Sequence, residues 1–171
     1  MESELRANGL SPFVVSQSNH NGRLTDKHPV ERIVGGFDLV EHTADVGISA
    51  WGKNLEETLS WLAVGMFSLI VDPTTVSSDQ SQAVSLVSRD RETLAVDWLN
   101  ELLYRYETTG FLLKDCQVSL KQGDAGLDAR CHGEQADPYR HHILTVVKAA
   151  TYHLLSVSHN QKWRVNVILD V

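Results

Sequence analysis

Three places in this sequence gather side chains that can hold a metal ion or move a proton. The first is Glu41-His42-Thr43-Ala44-Asp45. Two acids and an imidazole fall within one short segment, where one extended run ends and the next begins. The same segment reads equally as a polar turn in which Asp45 or Thr43 caps backbone N–H groups. The second is Asp170, followed by Val171 at the end of the given chain. If the strand over 163–170 lies beside the strand over 46–51, Asp45 (in phase with Gly47 and Ser49) and Asp170 (in phase with Asn166) share one polar face. Two carboxylates and the Val171 carboxylate would repel one another there unless a cation joined them, and hard divalent ions prefer oxygen ligands. Otherwise these are two solvated acids that never meet. The third place is Arg140-His141 with Lys148 and Tyr152-His153. These residues suit a cationic, hydrogen-bonding edge, or an internally satisfied structural network.

Motifs of common enzymes are missing from the sequence: it contains no Gly-rich phosphate loop, no GxSxG elbow, no HExxH and no CxxC. Two cysteines make neither a disulfide framework nor a four-ligand zinc site. Cys116 and Cys131 fit the core face of a hairpin as buried, reduced thiols.

The elements that must position these groups follow from periodicity. Phe37–Thr43 reads as a first strand and Val46, Ile48 and Ala50 mark a second. Asn54 caps a helix over 55–71, with Glu57 placed for a capping box and Leu55, Leu59, Leu62, Ala63, Met66, Phe67 and Ile70 on the apolar side. Trp61 lies off that stripe, which predicts partial exposure. Asp72-Pro73 ends the helix. Residues 74–82 read as a polar loop and Ala83–Val87 as a short strand. Asp90 caps a second helix with Ala95, Trp98, Leu99, Leu102, Leu103 and Tyr106 on its apolar face, ended by Gly110. Phe111–Leu113 opens the next strand.

Cys116–Gln122 and Gly126–Gly133 form a hairpin about Gly123-Asp124. Its register sets Cys116 against Cys131, Val118 against Ala129 and Leu120 against Leu127. A slip of one residue would bury the charges instead. Thr145–Val157 reads as extended, with a helical turn about Ala149-Ala150 as the alternative there, Asn160-Gln161 as a turn, and Trp163 to Asp170 as a last strand. Two helices that do not alternate regularly with six or seven strands predict an α+β fold. The expected form is a two-layer sandwich: one mainly antiparallel mixed sheet with both amphipathic helices on one face.

The chain has 171 residues, 42% of them hydrophobic, enough for one domain with a core. Residues 1–34 are polar and without period, which predicts a mobile extension before a domain over 35–171. Lys and Arg number 15 against 22 acids, a formal net charge of −7. Such a chain is a poor unaided grip for a phosphate backbone, so stable direct nucleic-acid binding is not expected, although a local basic patch stays open. No apolar run reaches the roughly 20 residues of a membrane helix. The N-terminus has no apolar signal core, and with two cysteines this points to the cytoplasm.

Glu41-His-Thr-Ala-Asp-Val-Gly47, Ala50-Trp-Gly52 and Asn54-Leu-Glu-Glu57 resemble the opening signature of the archease family. Trp98-Leu-Asn-Glu-Leu-Leu103 resembles its second-helix motif. Val147-Lys-Ala149, Thr151-Tyr-His153 and Ile168-Leu-Asp-Val171 resemble its C-terminal half. Where the family usually reads Gly-Thr-Glu-Val-Lys-Ala, this chain has Leu144-Thr-Val-Val-Lys-Ala149, so Leu144 and Val146 replace the Gly and the Glu.

The resemblance implies a non-enzymatic accessory protein. Its partner would be an RtcB-type, GTP-dependent RNA ligase, whose guanylylation and turnover it promotes in tRNA splicing or RNA repair. It also implies a divalent cation held by Asp45, Asp170 and Val171, calcium first, with magnesium or manganese as the other candidates. Glu41, His42, Arg140, His141, Lys148 and His153 then stand around the ion or face the partner. Two other classes compete with this reading: a metal-dependent phosphoesterase using Asp45, His141 and Asp170, and a chaperone-like interaction module whose metal is structural.

Overall fold

The computed structural model describes residues 34–41 and 45–171, with only the backbone described at Glu41. The expected extension, up to residue 33, and His42, Thr43 and Ala44 lie outside the described residues. In chain order the elements are β1 (Gly36–Glu41), β2 (Asp45–Gly52), α1 (Leu55–Ile70), β3 (Gln80–Val87), α2 (Arg91–Thr109), β4 (Phe111–Leu120), β5 (Gly126–Gln135), β6 (Ala149–Asn160) and β7 (Lys162–Asp170).

The α+β class stands, but the single mixed sheet is replaced by two. One has the order β1-β2-β7-β6 and the other β3-β5-β4. Every pairing between these strands is antiparallel. Helix α1 packs on β1, β2 and β7 of the first sheet and on β4 of the second, while α2 packs on β6 and on β3, β4 and β5. Alternation in a sequence says which side of a strand is wet, not which sheet the strand joins.

Both helices begin, and α2 ends, as their capping residues require. The Asn54 side chain accepts from the Glu57 N–H at 2.8 Å. The Glu57 carboxylate turns back to the Lys53 N–H, one residue before the usual box partner. Asp90 accepts from the Thr93 N–H at 2.7 Å, and Gly110 closes α2 at φ 70°, where a side chain would be strained. Leu59, Leu62 and Met66 are buried, and half-buried Trp61 lies beside Phe37, as the apolar stripe predicts. At the helix interface buried Trp98 of α2 donates its indole N–H to the Leu59 carbonyl of α1.

The hairpin register is the predicted one: Cys116 opposite Cys131, Val118 opposite Ala129, Leu120 opposite Leu127. The turn is wider than two residues. Lys121 and Gly126 close it, and Gly123 and Asp124 both take positive φ. Both thiols are free. Contact with Cys131, then burial, pushes the Cys116 thiol well above its ordinary range.

Three boundaries differ from expectation. Gln80-Ser81-Gln82 belong to β3, an edge strand of its sheet, where exposed polar residues give no burial signal. The segments 111–113 and 116–120 are one strand, β4, interrupted by a bulge at Lys114. Opposite that bulge Gly133 passes so close that a Cβ would lie 1.9 Å from the Leu112 carbonyl oxygen, which only glycine allows. Finally, β6 starts at Ala149 rather than Thr145. The segment before it instead meets the end of α1, with Ile143 bridged to Val71 and the Leu144 N–H donated to the Ile70 carbonyl.

Candidate metal centre

Strands β2 and β7 are neighbours, and their register sets Asp45 directly opposite Asp170. Residues directly opposed across an antiparallel pair project to the same face, with Cβ atoms about 4.5–5.5 Å apart. Val46, Ile48 and Ala50 of β2, with Val165, Val167 and Leu169 of β7, occupy the opposite, core-facing side. The acids are therefore held outward by the same alternation that buries their neighbours.

Lys148 closes the site from the segment before β6. Its N–H donates to the Asp170 carbonyl at 2.8 Å. Its ammonium donates to a Val171 oxygen at 3.0 Å and stands 3.7 Å from the Asp170 carboxylate. The Asp170 and Lys148 side chains remain 51% and 60% exposed, so the centre opens to solvent. The Asp170 carboxylate and a Val171 oxygen meet one ammonium, and Asp45 stands opposite Asp170. An all-oxygen, net-anionic donor set of this kind fits a hard divalent cation better than a soft metal. No group of three or more His, Cys, Asp or Glu side chains gathers among the described residues. Asp45, Asp170 and Val171 would leave much of a cation's coordination shell to water or to a partner.

The remaining predicted residues divide. The side chains of Glu41 and His42 lie outside the described residues. His153 sits in an irregular stretch of β6 between Thr151 and Ser156, where Leu154 takes φ 51°; its N–H donates to the Thr151 hydroxyl. Leu144 and Val146, the two departures from the family pattern, are exposed.

Arg140 and His141 are occupied elsewhere. Arg140 grips the buried Glu134 carboxylate through two guanidinium nitrogens. Glu134 also accepts from the Ser77 N–H at 2.5 Å. His141 Nδ1 accepts the Asp137 N–H at 2.9 Å, which places the ring proton on Nε2. That nitrogen faces the Thr75 carbonyl at 3.1 Å and Glu134 at 3.3 Å. This is the satisfied structural network, and it ties the 75–77 loop to the end of β5. Glu134 was not legible as a buried acid: it sits in the wet phase of β5 and is covered only because two loops fold over it. Its one signal is Arg140, six residues on.

The Arg140 guanidinium, aided by the Ser77 N–H, holds the Glu134 carboxyl down at about 2, against an ordinary 4.5. A folded-state value below the unfolded one stabilises the fold above the unfolded value, and that contribution is lost as pH falls. Denaturant stability is therefore expected to drop between about pH 4.5 and about pH 2. Arg140→Met should flatten that dependence while lowering stability at neutral pH. An unchanged slope in Arg140→Met would remove Glu134 as its source.

Fold and centre together define a class: a small α+β protein that presents paired acids at the open end of a sheet. Residues 37–171 match the model of the archease protein family. The chain is 34% identical over 139 residues to "Protein archease" of Methanosarcina mazei, covering 79% of this chain and 95% of that one. It is 33% identical over 136 residues to "Protein archease" of Sulfurisphaera tokodaii, covering 79% and 98%. The solution structure of Methanobacterium thermoautotrophicum protein 1598 superimposes with a TM-score of 0.70 at 32% identity, over 80% of this chain and 99% of that chain. The chain belongs to the archease family.

Proposed function

We propose that this chain is a non-enzymatic, metal-binding accessory protein of the cytoplasm that activates an RtcB-type, GTP-dependent RNA ligase by promoting its guanylylation and turnover. The observation that carries this reading is the direct opposition of Asp45 and Asp170, with Val171 alongside, at an exposed sheet end. Asp45, Asp170 and Val171 hold the ion, calcium first. A bound divalent ion supplies neutralisation of the phosphate charge that develops during nucleotidyl transfer. The chain's own residues orient the site: the β2–β7 register fixes both carboxylates, and Lys148 holds Val171. A net charge of −7 suits docking on a basic, RNA-binding enzyme.

The phosphoesterase reading loses its histidine, because both His141 nitrogens are engaged within a buried network. No described helix is long and apolar enough to cross a membrane.

The test is guanylylation of a purified RtcB-type ligase with GTP, with and without the full chain. The expected result is a higher guanylylated fraction and multiple turnover in RNA joining, both lost on chelation of divalent ions. An inert chain would overturn the reading. Phosphate-ester hydrolysis by the chain alone would replace it with an enzyme, and chelator-insensitive stimulation would reduce the ion to a structural part.

A further inference from the structure

The outer face of the four-stranded sheet changes character along β2 and β7. Beside the opposed acids, Gly47 and Ile168 floor a shallow groove of about 210 Å³ that Val40 and Leu154 also line. Ser49 and Asn166 come next, then Trp51 opposite Arg164, with Lys162 in the same phase. At that far end the Lys162 ammonium lies 4.8 Å and the Arg164 guanidinium 5.3 Å from the centre of the Trp51 ring. Trp51 is itself fixed, donating its indole N–H to the Val34 carbonyl at 3.0 Å. Arg164 donates one N–H to the Ser49 hydroxyl at 2.6 Å. Among the described residues neither cation forms an ion pair with a carboxylate.

In a chain of net charge −7, two cations held by one indole without an acid need an account. Cation–π contact orients both heads without neutralising them, so their charge stays available to an incoming anion. A guanidinium so placed offers a planar fork that matches phosphate. The neighbouring positions are neutral hydrogen-bonding groups: Ser158 opposite Arg164, Asn160 opposite Lys162, and Ser156 opposite Asn166. Asp38, opposite Ser49 on edge strand β1, is the acid nearest in register. Hydroxyls and amides suit sugar hydroxyls and base edges, whereas an acidic peptide needs further cations.

We propose that Trp51, Lys162 and Arg164 form a phosphate clamp for single-stranded RNA. It lies on the same sheet face as Asp45 and Asp170, about 20 Å away, which is six residues of extended chain. The choice of RNA as the polymer rests on the ligase reading. The clamp would hold the strand locally and weakly, its affinity limited by the acidity of the rest of the chain.

The test is fluorescence anisotropy of a short, labelled single-stranded oligoribonucleotide titrated with the full chain at low ionic strength. Two neutralised phosphates predict a slope of about −1.4 in log affinity against log salt. Lys162→Gln combined with Arg164→Gln should weaken binding about tenfold or more, since each removes a charged hydrogen bond. Lys121→Gln, which removes a charge from the turn between β4 and β5, should not. Circular dichroism checks the fold of each variant, and the wild-type salt slope stands even if the double variant misfolds. Absence of wild-type binding, a flat salt slope, equal binding by the folded double variant, or displacement of the RNA by polyglutamate at matched charge would each overturn the clamp. No ligase is present in the assay, so failed ligase activation and failed RNA binding are separate results.

Discussion

Asp45→Asn is expected to abolish most stimulation of the ligase while leaving the fold intact, and to reverse its effect on stability with calcium. The exchange keeps the shape of the side chain and removes one of two directly opposed charges. Like charges in that arrangement cost about 0.2–1 kcal/mol, so in chelator the variant should be as stable as the wild type or slightly more so. In calcium the order should invert. A ligand that binds only the folded state adds stability by mass action, about 2.7 kcal/mol at a hundred times its dissociation constant. Wild type should gain that increment and Asp45→Asn should lose most of it. Thermal unfolding in chelator and in calcium reads this directly, alongside guanylylation. Wild-type and variant proteins equally indifferent to calcium would remove the ion from Asp45. Full stimulation by the variant would leave only a docking role.

Trp98→Ala should be the most damaging single change to the fold, at about 3–5 kcal/mol. Trp98 is wholly buried in α2, and its indole N–H is donated to the Leu59 carbonyl in α1 at 3.0 Å. Truncation removes a large ring from between elements that reach both sheets and leaves a cavity that cannot readily collapse. Against a total stability of about 5–15 kcal/mol, a loss of this size brings the domain near its unfolding threshold. Trp98→Phe keeps much of the ring and drops the hydrogen bond, which is worth about 1 kcal/mol, so it should cost markedly less. Urea titrations of the three proteins decide the matter. A loss of less than about 1 kcal/mol in Trp98→Ala would mean that the two helices do not depend on this contact.

The parts legible in the sequence were those settled by neighbours along the chain. Asn54, Asp90 and Gly110 mark helix ends because an unpaired backbone group and the side chain or backbone conformation that satisfies it lie within a few residues. The Cys116–Cys131 register was readable because a short connection joins two strands whose apolar positions must share a face. The family motifs named Asp45, Asp170, Val171 and Lys148, and alternation put both acids on a wet face.

Tertiary structure alone decided who faces whom. Alternation reports the face of a strand and is silent about its neighbour, so only the fold sets Asp45 against Asp170, divides the strands between two sheets, and stacks Lys162 and Arg164 on Trp51. The same limit hid Glu134, an acid in an exposed phase that becomes buried when distant loops bring Ser77, Arg140 and His141 to it. Local rules act over one turn of helix or one hairpin. The candidate metal centre joins the start of the second strand to the last residues of the chain, and that contact exists only once β7 has inserted between β2 and β6.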